Sequence, residues 1–460
     1  SQFILPARPF RAALCAARTE FRSSYFKNTP PIETSRFERI APRGRLFLLK
    51  ITMSRLVIKG GKQLKGEWRL SGNKNEALAL IAASLLFENK LVLKNIPKIK
   101  DVEIMTQIAD YLKKHRTSSL PPELSSKIRG SLLFLGPLLA TRGKATIPKT
   151  GGDKIGLRKI DTHLEVFKAF GAKISGDKIT LPKNVYYNGK TTEIWLSEPS
   201  VTATENAMML ASARPTKTII KNAASEPHVV NLGVVLKKGG ARISGLGTNL
   251  IEVKGTKNFK RVEHTLSEDY MELGGVLVLS AIFGGKIKVK TGNNKEYRKI
   301  FETFEKFGKK VIQENVYLKV VNDLRKDPDL NKHIREISDG PWPNFPSDLM
   351  GSMIILATQC QGNFLFHEKM FESRLFFIDR LKTLGAKMIL CDPHRVLVSG
   401  PSTLYGNYLV SPDIRAGMAM VIAALCAKGT SVIENAEQID RGYENLIEKI
   451  KKVGGDIKHA

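Results

Sequence analysis

Hydrophobic and polar positions along this chain fall into a unit that recurs every several tens of residues. A polar or small-residue turn leads into an apolar helical run. A short basic or β-branched strand follows, then a second amphipathic helix, then a glycine and a hairpin. The helix ends and hairpins show the repeat most plainly, at Phe170-Gly171-Ala172-Lys173-Ile174, Gly239-Gly240-Ala241-Arg242-Ile243 and Phe307-Gly308-Lys309-Lys310-Val311, then at Leu384-Gly385-Ala386-Lys387-Met388 and Val453-Gly454-Gly455-Asp456-Ile457. Glycine there supplies the positive φ of a helix C-cap. Repeats of this length bury a core only by stacking on one another. The pattern predicts an α/β chain of six βαβαββ-type units.

The units open at Ser71-Gly72-Asn73-Lys74-Asn75, Ile128-Arg129-Gly130-Ser131, Ser200-Val201-Thr202-Ala203, Glu268-Asp269, Pro346-Ser347-Asp348 and Ser411-Pro412-Asp413-Ile414-Arg415. Ser, Thr and Asp are natural N-caps at such points, and the free N–H groups of a helix start suit an anion. Function is expected on these turns, where several units aim side chains at one place. The first unit departs from the rest. After Tyr111–Arg116 it runs into Thr117-Ser118-Ser119-Leu120-Pro121-Pro122, which cannot supply central strands. Either this unit has lost its hairpin or the sequence lacks a segment there.

Length and charge narrow the class. A chain of 460 residues suits two domains, and no apolar run reaches the roughly 18–20 residues of a membrane span. Cys15, Cys360, Cys391 and Cys426 lie far apart, without zinc or redox spacing, and read as free thiols in a reducing compartment. The net charge of +29 favours anionic partners. The basic residues are scattered, aromatics make up 7%, and neither an RNA-binding aromatic signature nor zinc-finger spacing is present. Phosphorylated small molecules are therefore expected rather than nucleic acid or membrane, and no motif calls for a metal or cofactor. Residues 1–52 carry ten Lys/Arg against three acids. They read as an organelle transit peptide or as a stretch upstream of a start at Met53, disordered and outside the fold in either case. The first reading would put the protein in an organelle, the second in the cytoplasm.

The turn sequences, taken together, resemble one family. Ser71–Leu78, Gly151-Gly152-Asp153-Lys154-Ile155-Gly156-Leu157-Arg158, Glu193–Asn206, Glu226-Pro227, Phe345-Pro346-Ser347-Asp348, Phe371-Glu372-Ser373-Arg374, Asp413-Ile414-Arg415 and Ile439-Asp440-Arg441-Gly442-Tyr443-Glu444 match, in order, the motifs of the UDP-N-acetylglucosamine 1-carboxyvinyltransferases. Those enolpyruvyl transferases open peptidoglycan precursor synthesis. The resemblance implies a two-domain inverted α/β barrel with three units per domain and the active site in the cleft between them. Residues 53–73 and 268–460 would form one domain and 74–267 the other, with a mobile loop at 148–158 that closes on the nucleotide sugar. The substrates would be phosphoenolpyruvate and UDP-N-acetylglucosamine.

Taken singly, Lys74 is a surface charge at a helix start and Asp348 a helix cap; the matched motifs change both readings. The resemblance makes Lys74, Asp153, Asp348 and Arg415 catalytic, with Asp348 facing the sugar 3′-hydroxyl and Asp153 as the loop acid. It makes Arg129, Arg158, Arg374 and Arg441 binders of substrate anions, as planar guanidinium groups suit. It places Asn75, His163, Ser200, Val201, Glu226, Asp269, Phe371 and Asp413 along the substrate site. The chain departs from the family at four points: Asp153 replaces a frequent cysteine, Glu198 a lysine, Leu133 a tryptophan and Tyr270 an arginine. Two other readings stay open, a non-catalytic nucleotide-sugar binder and the related 3-phosphoshikimate enzyme. The latter's lysine motif continues differently from Lys74-Asn75-Glu76-Ala77-Leu78.

Overall fold

The computed structural model describes residues 54–460 except 89, 154, 157, 183–189, 293–294 and 324–332. The basic stretch 1–52 lies outside the described residues. Two separate cores hold the body together. One gathers Leu56, Ile58, Leu64 and Trp68 with apolar residues from Tyr270 to Ile457; the other runs from Ala77 to Leu266.

In each core the apolar helices lie in the middle. Lys74–Ala83, Leu135–Arg142 and Val201–Ser212 fill one lobe. Tyr270–Ile282, Met350–Gln359 and Ile414–Cys426 fill the other. These segments are apolar nearly all round, the mark of a helix with no solvent face. Small residues let them approach closely: a side chain at Gly274 would stand 2.4 Å from Leu349 Cδ1. The strands instead alternate buried with exposed, as in Leu250–Lys254 and Thr430–Glu434, so each sheet keeps one wet face. Helices inside and sheets outside make this an inverted α/β barrel, as expected.

The sheets repeat one plan. Thr192–Trp195 pairs in parallel with Lys217–Lys221, which pairs antiparallel with Leu250–Lys254, beside Arg242–Ser244. The same order recurs in the sheets around Gly362–His367 and Ile287–Lys290. In the last sheet Arg55–Lys59 is inserted between Thr430–Glu434 and Asp456–His459, antiparallel to both. The glycine reading holds as well, with φ of 82° at Gly171, 96° at Gly385 and 93° at Gly454.

The first unit is short, as its prolines suggested. Among the described residues its sheet is only Leu91–Lys94 in parallel with Val262–Thr265. Helix Lys100–His115 stops at Arg116, whose φ is 50°, and the chain moves straight on. Thr146 N then donates to Ser118 O, so this stretch edges the second sheet and forms no hairpin.

One expectation needs correction. Side-chain caps close only some of the unit openings. Asn73, Asp269 and Asp413 accept backbone N–H groups of their own helices. Ser200 makes no such bond, and the second and fifth units open on 3₁₀ turns, Arg129–Phe134 and Ser347–Leu349. In the fifth, the Ser347 hydroxyl is drawn away to Glu368.

The chain crosses between lobes at two adjacent points. Gly72 bridges Glu268, Asn73 N donates to Ser267 O, and Asp269 N donates to Ser71 O. Buried Glu76 clamps this crossing by accepting from Asn231, His264 and both the backbone N–H and the hydroxyl of Ser267. No side chain fits at Gly72, where a Cβ would sit 1.8 Å from Asn95 O. Gly72→Ala should therefore destabilise the protein by about 1–3 kcal/mol, read as a lower thermal unfolding midpoint. An unchanged midpoint would show that the crossing can shift to make room.

Candidate active site

The starts of the buried helices bring together side chains distant in sequence. Lys74 begins the first helix, and its backbone N–H donates to Asp269 Oδ2 across the crossing. Lys74 Nζ lies 2.6 Å from Asp101 Oδ2. The other oxygen of Asp101 receives Arg441 Nε at 2.9 Å. Arg441 Nη1 then reaches Asp153 Oδ1 at 3.1 Å and Gln438 Oε1 at 2.8 Å. Burial pushes the Asp101 carboxyl up, but Lys74 and Arg441 outweigh it and hold it below the usual range. One chain of opposite charges thus ties Lys74, Asp101 and Asp153 to Arg441 of the other lobe.

A second cluster centres on Asp348. Its Oδ1 accepts from Arg374 Nη2 at 2.7 Å and its Oδ2 from Arg415 Nε at 2.8 Å. Arg415 Nη1 also donates to Tyr443 Oη at 3.0 Å. Burial alone would raise Asp348, yet Arg415 and Arg374 hold it far below the carboxylate range. Phe371 presents its ring to two guanidinium groups, Arg374 at 5.0 Å and Arg158 at 5.9 Å from the centroid.

The loop carrying Asp153 reaches residues of the other lobe. Ile155 is buried, and its carbonyl accepts from Ser373 N of the other lobe at 3.1 Å. Gly156, with a φ of 128°, passes so close that a Cβ would stand 3.3 Å from Glu372 N. The loop, the Phe371–Arg374 turn and Arg441 therefore meet at one place.

Arg129 and Arg158 have no carboxylate within ion-pair distance among the described residues. Burial, with Arg158 beside it, pushes Arg129 down to about 10, against the pull of Glu198. Burial also lowers Arg158, while Asp153 and Asp348 work the other way. Arg129 Nη2 holds Lys159 O at 2.8 Å. Two neighbouring guanidinium groups without a counter-ion are suited to a bound anion.

The remaining residues named from the sequence take mixed positions. Asn75, Ser200 and Val201 sit half-buried at helix starts. Asp413 caps its helix and faces Arg374. His163 is buried and pushed down to about 4 by burial and by Arg129. Its Nδ1 meets the Asn206 amide, so the neutral ring carries its proton on Nε2, toward Thr202 Oγ1 at 3.0 Å. Both nitrogens are thus occupied, and His163 supports the Ser200–Thr202 turn from behind. Asp269 likewise holds backbone, of Lys74, Met271 and Glu272. Burial pushes Glu226 up to about 7, and burial together with Glu226 holds fully buried Glu205 well above the usual carboxylate range.

The departures from the family have visible places. Leu133 joins the N-terminal core. Glu198 accepts from Thr162 Oγ1 and puts its charge near Arg129. Tyr270 is buried, stacked 5.4 Å from Tyr297, with its hydroxyl 3.3 Å from His228 Nδ1. Sequence reading assigned no role to Asp101, Glu205, Asp339, Glu368 or Tyr443. Of these, Glu205 and Tyr443 lay in matched motifs.

Comparison with known proteins shows the family. The profile of EPSP synthase (3-phosphoshikimate 1-carboxyvinyltransferase) matches residues 58–450. The UDP-N-acetylglucosamine 1-carboxyvinyltransferase of Treponema denticola is 45% identical over 424 residues, covering 88% of this chain and 99% of that protein. The enzyme of the same name from Bradyrhizobium diazoefficiens is 40% identical, over 88% of this chain and 97% of its own. Among solved structures, the enolpyruvyl transferase NikO from Streptomyces tendae superposes with a TM-score of 0.75 at 21% identity, covering 89% of this chain and 99% of its own. EPSP synthase from Acinetobacter baumannii gives 0.65 at 16%, covering 88% and 100%. These two speak for the fold. With such identity along nearly the whole body, the chain belongs to the UDP-N-acetylglucosamine 1-carboxyvinyltransferase family of enolpyruvyl transferases.

Proposed function

We propose that this protein transfers the enolpyruvyl group of phosphoenolpyruvate to the 3′-hydroxyl of UDP-N-acetylglucosamine and releases phosphate, as an early step of cell-wall precursor synthesis. The observation that carries the reading is the gathering of Lys74, Arg129, Arg158, Arg374, Arg415 and Arg441 around two carboxylates, Asp153 and Asp348, in a cleft crossed by a loop. Phosphoenolpyruvate brings a phosphate and a carboxylate, and the cations offer both of them planar or point-charge partners.

The chemistry needs a proton at the enol methylene and removal of one from the sugar hydroxyl. We assign the first to Asp153, which Arg441 links to the Asp101–Lys74 pair. Asp348 is placed for the second. Held between two arginines, Asp348 is a feeble base toward a free hydroxyl, so it takes the proton as the C–O bond forms and the hydroxyl turns acidic. The tetrahedral adduct, in which the former methylene is a methyl group, then loses phosphate to the preorganised cations, and a methyl proton passes to the Asp153 carboxylate as the enol ether re-forms. Separation into two lobes joined at Ser71–Asn73 and Ser267–Asp269 lets the cleft open for exchange and close for reaction. No helix among the described residues is long and apolar enough to cross a membrane. We assign the reaction to the cytoplasm, or to an organelle if residues 1–52 address one.

Mixing the protein with phosphoenolpyruvate and UDP-N-acetylglucosamine should release inorganic phosphate, while shikimate 3-phosphate in place of the sugar should release none. Phosphate release with shikimate 3-phosphate alone would move the assignment to the related enzyme. Binding of the nucleotide sugar without release would leave a binder.

A further inference from the structure

Behind Asp348 and Arg374 lie two buried acids, Asp339 and Glu368, that the reaction itself does not use. Glu368 is fully buried and Asp339 nearly so. Both oxygens of Glu368 receive the Ser347 hydroxyl, at 2.8 and 2.9 Å. Its Oε1 also accepts from Met370 N at 3.2 Å and Phe371 N at 3.1 Å. Asp339 Oδ1 accepts from Lys369 N at 2.5 Å, while its buried Oδ2 finds no ordinary donor. Ser347 precedes Asp348, and Phe371 opens the turn that carries Arg374. One carboxyl thus braces both halves of the Asp348 cluster.

We infer that Glu368 and Asp339 share a single proton, and that this proton-bearing bridge holds the Ser347-Asp348 turn and the Phe371–Arg374 turn in register for the reaction. Glu368 Oε2 carries the proton and donates it toward Asp339 Oδ2, the one acceptor otherwise unserved. Two carboxylates so placed cannot both ionise at low cost. Burial and Asp339 accordingly push Glu368 up to about 9, against the pull of Arg374 and Ser347. The other groups facing the pair are His394, whose Nδ1 lies 2.7 Å from Glu368 O, and Lys299, Lys306 and Lys369. These lysines edge the cavity of about 370 Å³ beside Asp339. Glu368 is a positioning residue on this view and touches no substrate; the inference rests on the proposed reaction only for its kinetic readout.

Glu368→Gln keeps a neutral donor in place. It should retain most of the turnover at neutral pH but lose the alkaline decline that the parent shows with a midpoint near 9. Glu368→Ala should lower kcat about 10²-fold, the scale of a 1 Å misplacement, with little change in KM. A second readout needs no activity. An acid kept neutral in the folded state but ionised when unfolded loses stability as pH rises between its two pKa values. The parent should therefore melt progressively lower than Glu368→Gln from about pH 5 to pH 9, with a constant difference above. Asp339→Asn should flatten the same curves if the glutamine variant does not fold. Equal pH dependence of melting in parent and variants would overturn the shared proton. An unchanged alkaline limb in an active, folded Glu368→Gln would overturn its positioning role. Absence of turnover in the parent, with the melting difference intact, would instead count against the reaction alone.

Discussion

Replacing Asp153 by alanine should remove most of the turnover, about 10²–10⁴-fold, the range for a positioned proton donor. Arg441 would stay in place without it, since Asp101 Oδ1 and Gln438 Oε1 still hold that guanidinium. The loss would then report on the missing acid and not on a collapsed cleft. In this structure Asp153 is spent on Arg441, and a neutral acid has little to offer a cation. Proton delivery by Asp153, as proposed, would therefore go with a change of partner, Arg441 turning to a substrate anion as Asp153 turns to the enol. The same residue predicts a drug response. Fosfomycin acts in this family by alkylating a loop cysteine through its thiolate, a far better nucleophile than a carboxylate. Cys360 is buried and Cys426 half-buried in the C-terminal lobe, desolvation pushing their thiols up to about 11 and 12. Cys391 sits on an outer strand. The parent protein should form no fosfomycin adduct, and Asp153→Cys should keep turnover while gaining time-dependent inactivation. Full activity in the alanine variant, or an adduct on the parent by mass spectrometry, would overturn the assignment.

Asp348→Ala should separate binding from chemistry. The carboxylate occupies two guanidinium groups, at 2.7 and 2.8 Å, and its removal leaves both free for an anion. Turnover should fall about 10²–10⁴-fold, while KM for phosphoenolpyruvate stays level or drops. Asp348→Asn, which keeps an acceptor for one guanidinium but carries no charge, should lose kcat as well. A large rise in KM with kcat preserved would show that Asp348 only arranges the arginines.

Much of the site was legible because its residues sit in local motifs. Lys74, Asp153, Asp348, Arg374, Arg415 and Arg441 each lie in a short run whose match needs no knowledge of partners. The glycine hairpins were legible because a left-handed φ leaves few residues to choose from. The partnerships were not. Asp101 reads as a first-turn acid on an amphipathic helix, and its ion pair with Arg441 spans 340 positions. Asp339 and Glu368 look like any surface carboxylate in sequence, since what distinguishes them is burial. Ser347 shows the same limit on a smaller scale. A serine before a helix is an expected cap, but a buried carboxyl from a neighbouring strand outbids the helix for its hydroxyl.

The strand Arg55–Lys59 lies inside the last sheet, between Thr430–Glu434 and Asp456–His459. That placement orders events during synthesis. Residues 77–266 hold a core of their own and can collapse while the ribosome is still at work, as contiguous domains do. The other lobe cannot: its earliest strand must wait, both edges unpaired, until almost the entire chain has emerged. Pairings of such sequence separation form slowly, and a waiting strand edge is a template for misassociation. Arg55, Lys59, Lys62, Lys65 and Arg69, spaced along that early segment, keep it charged through the interval.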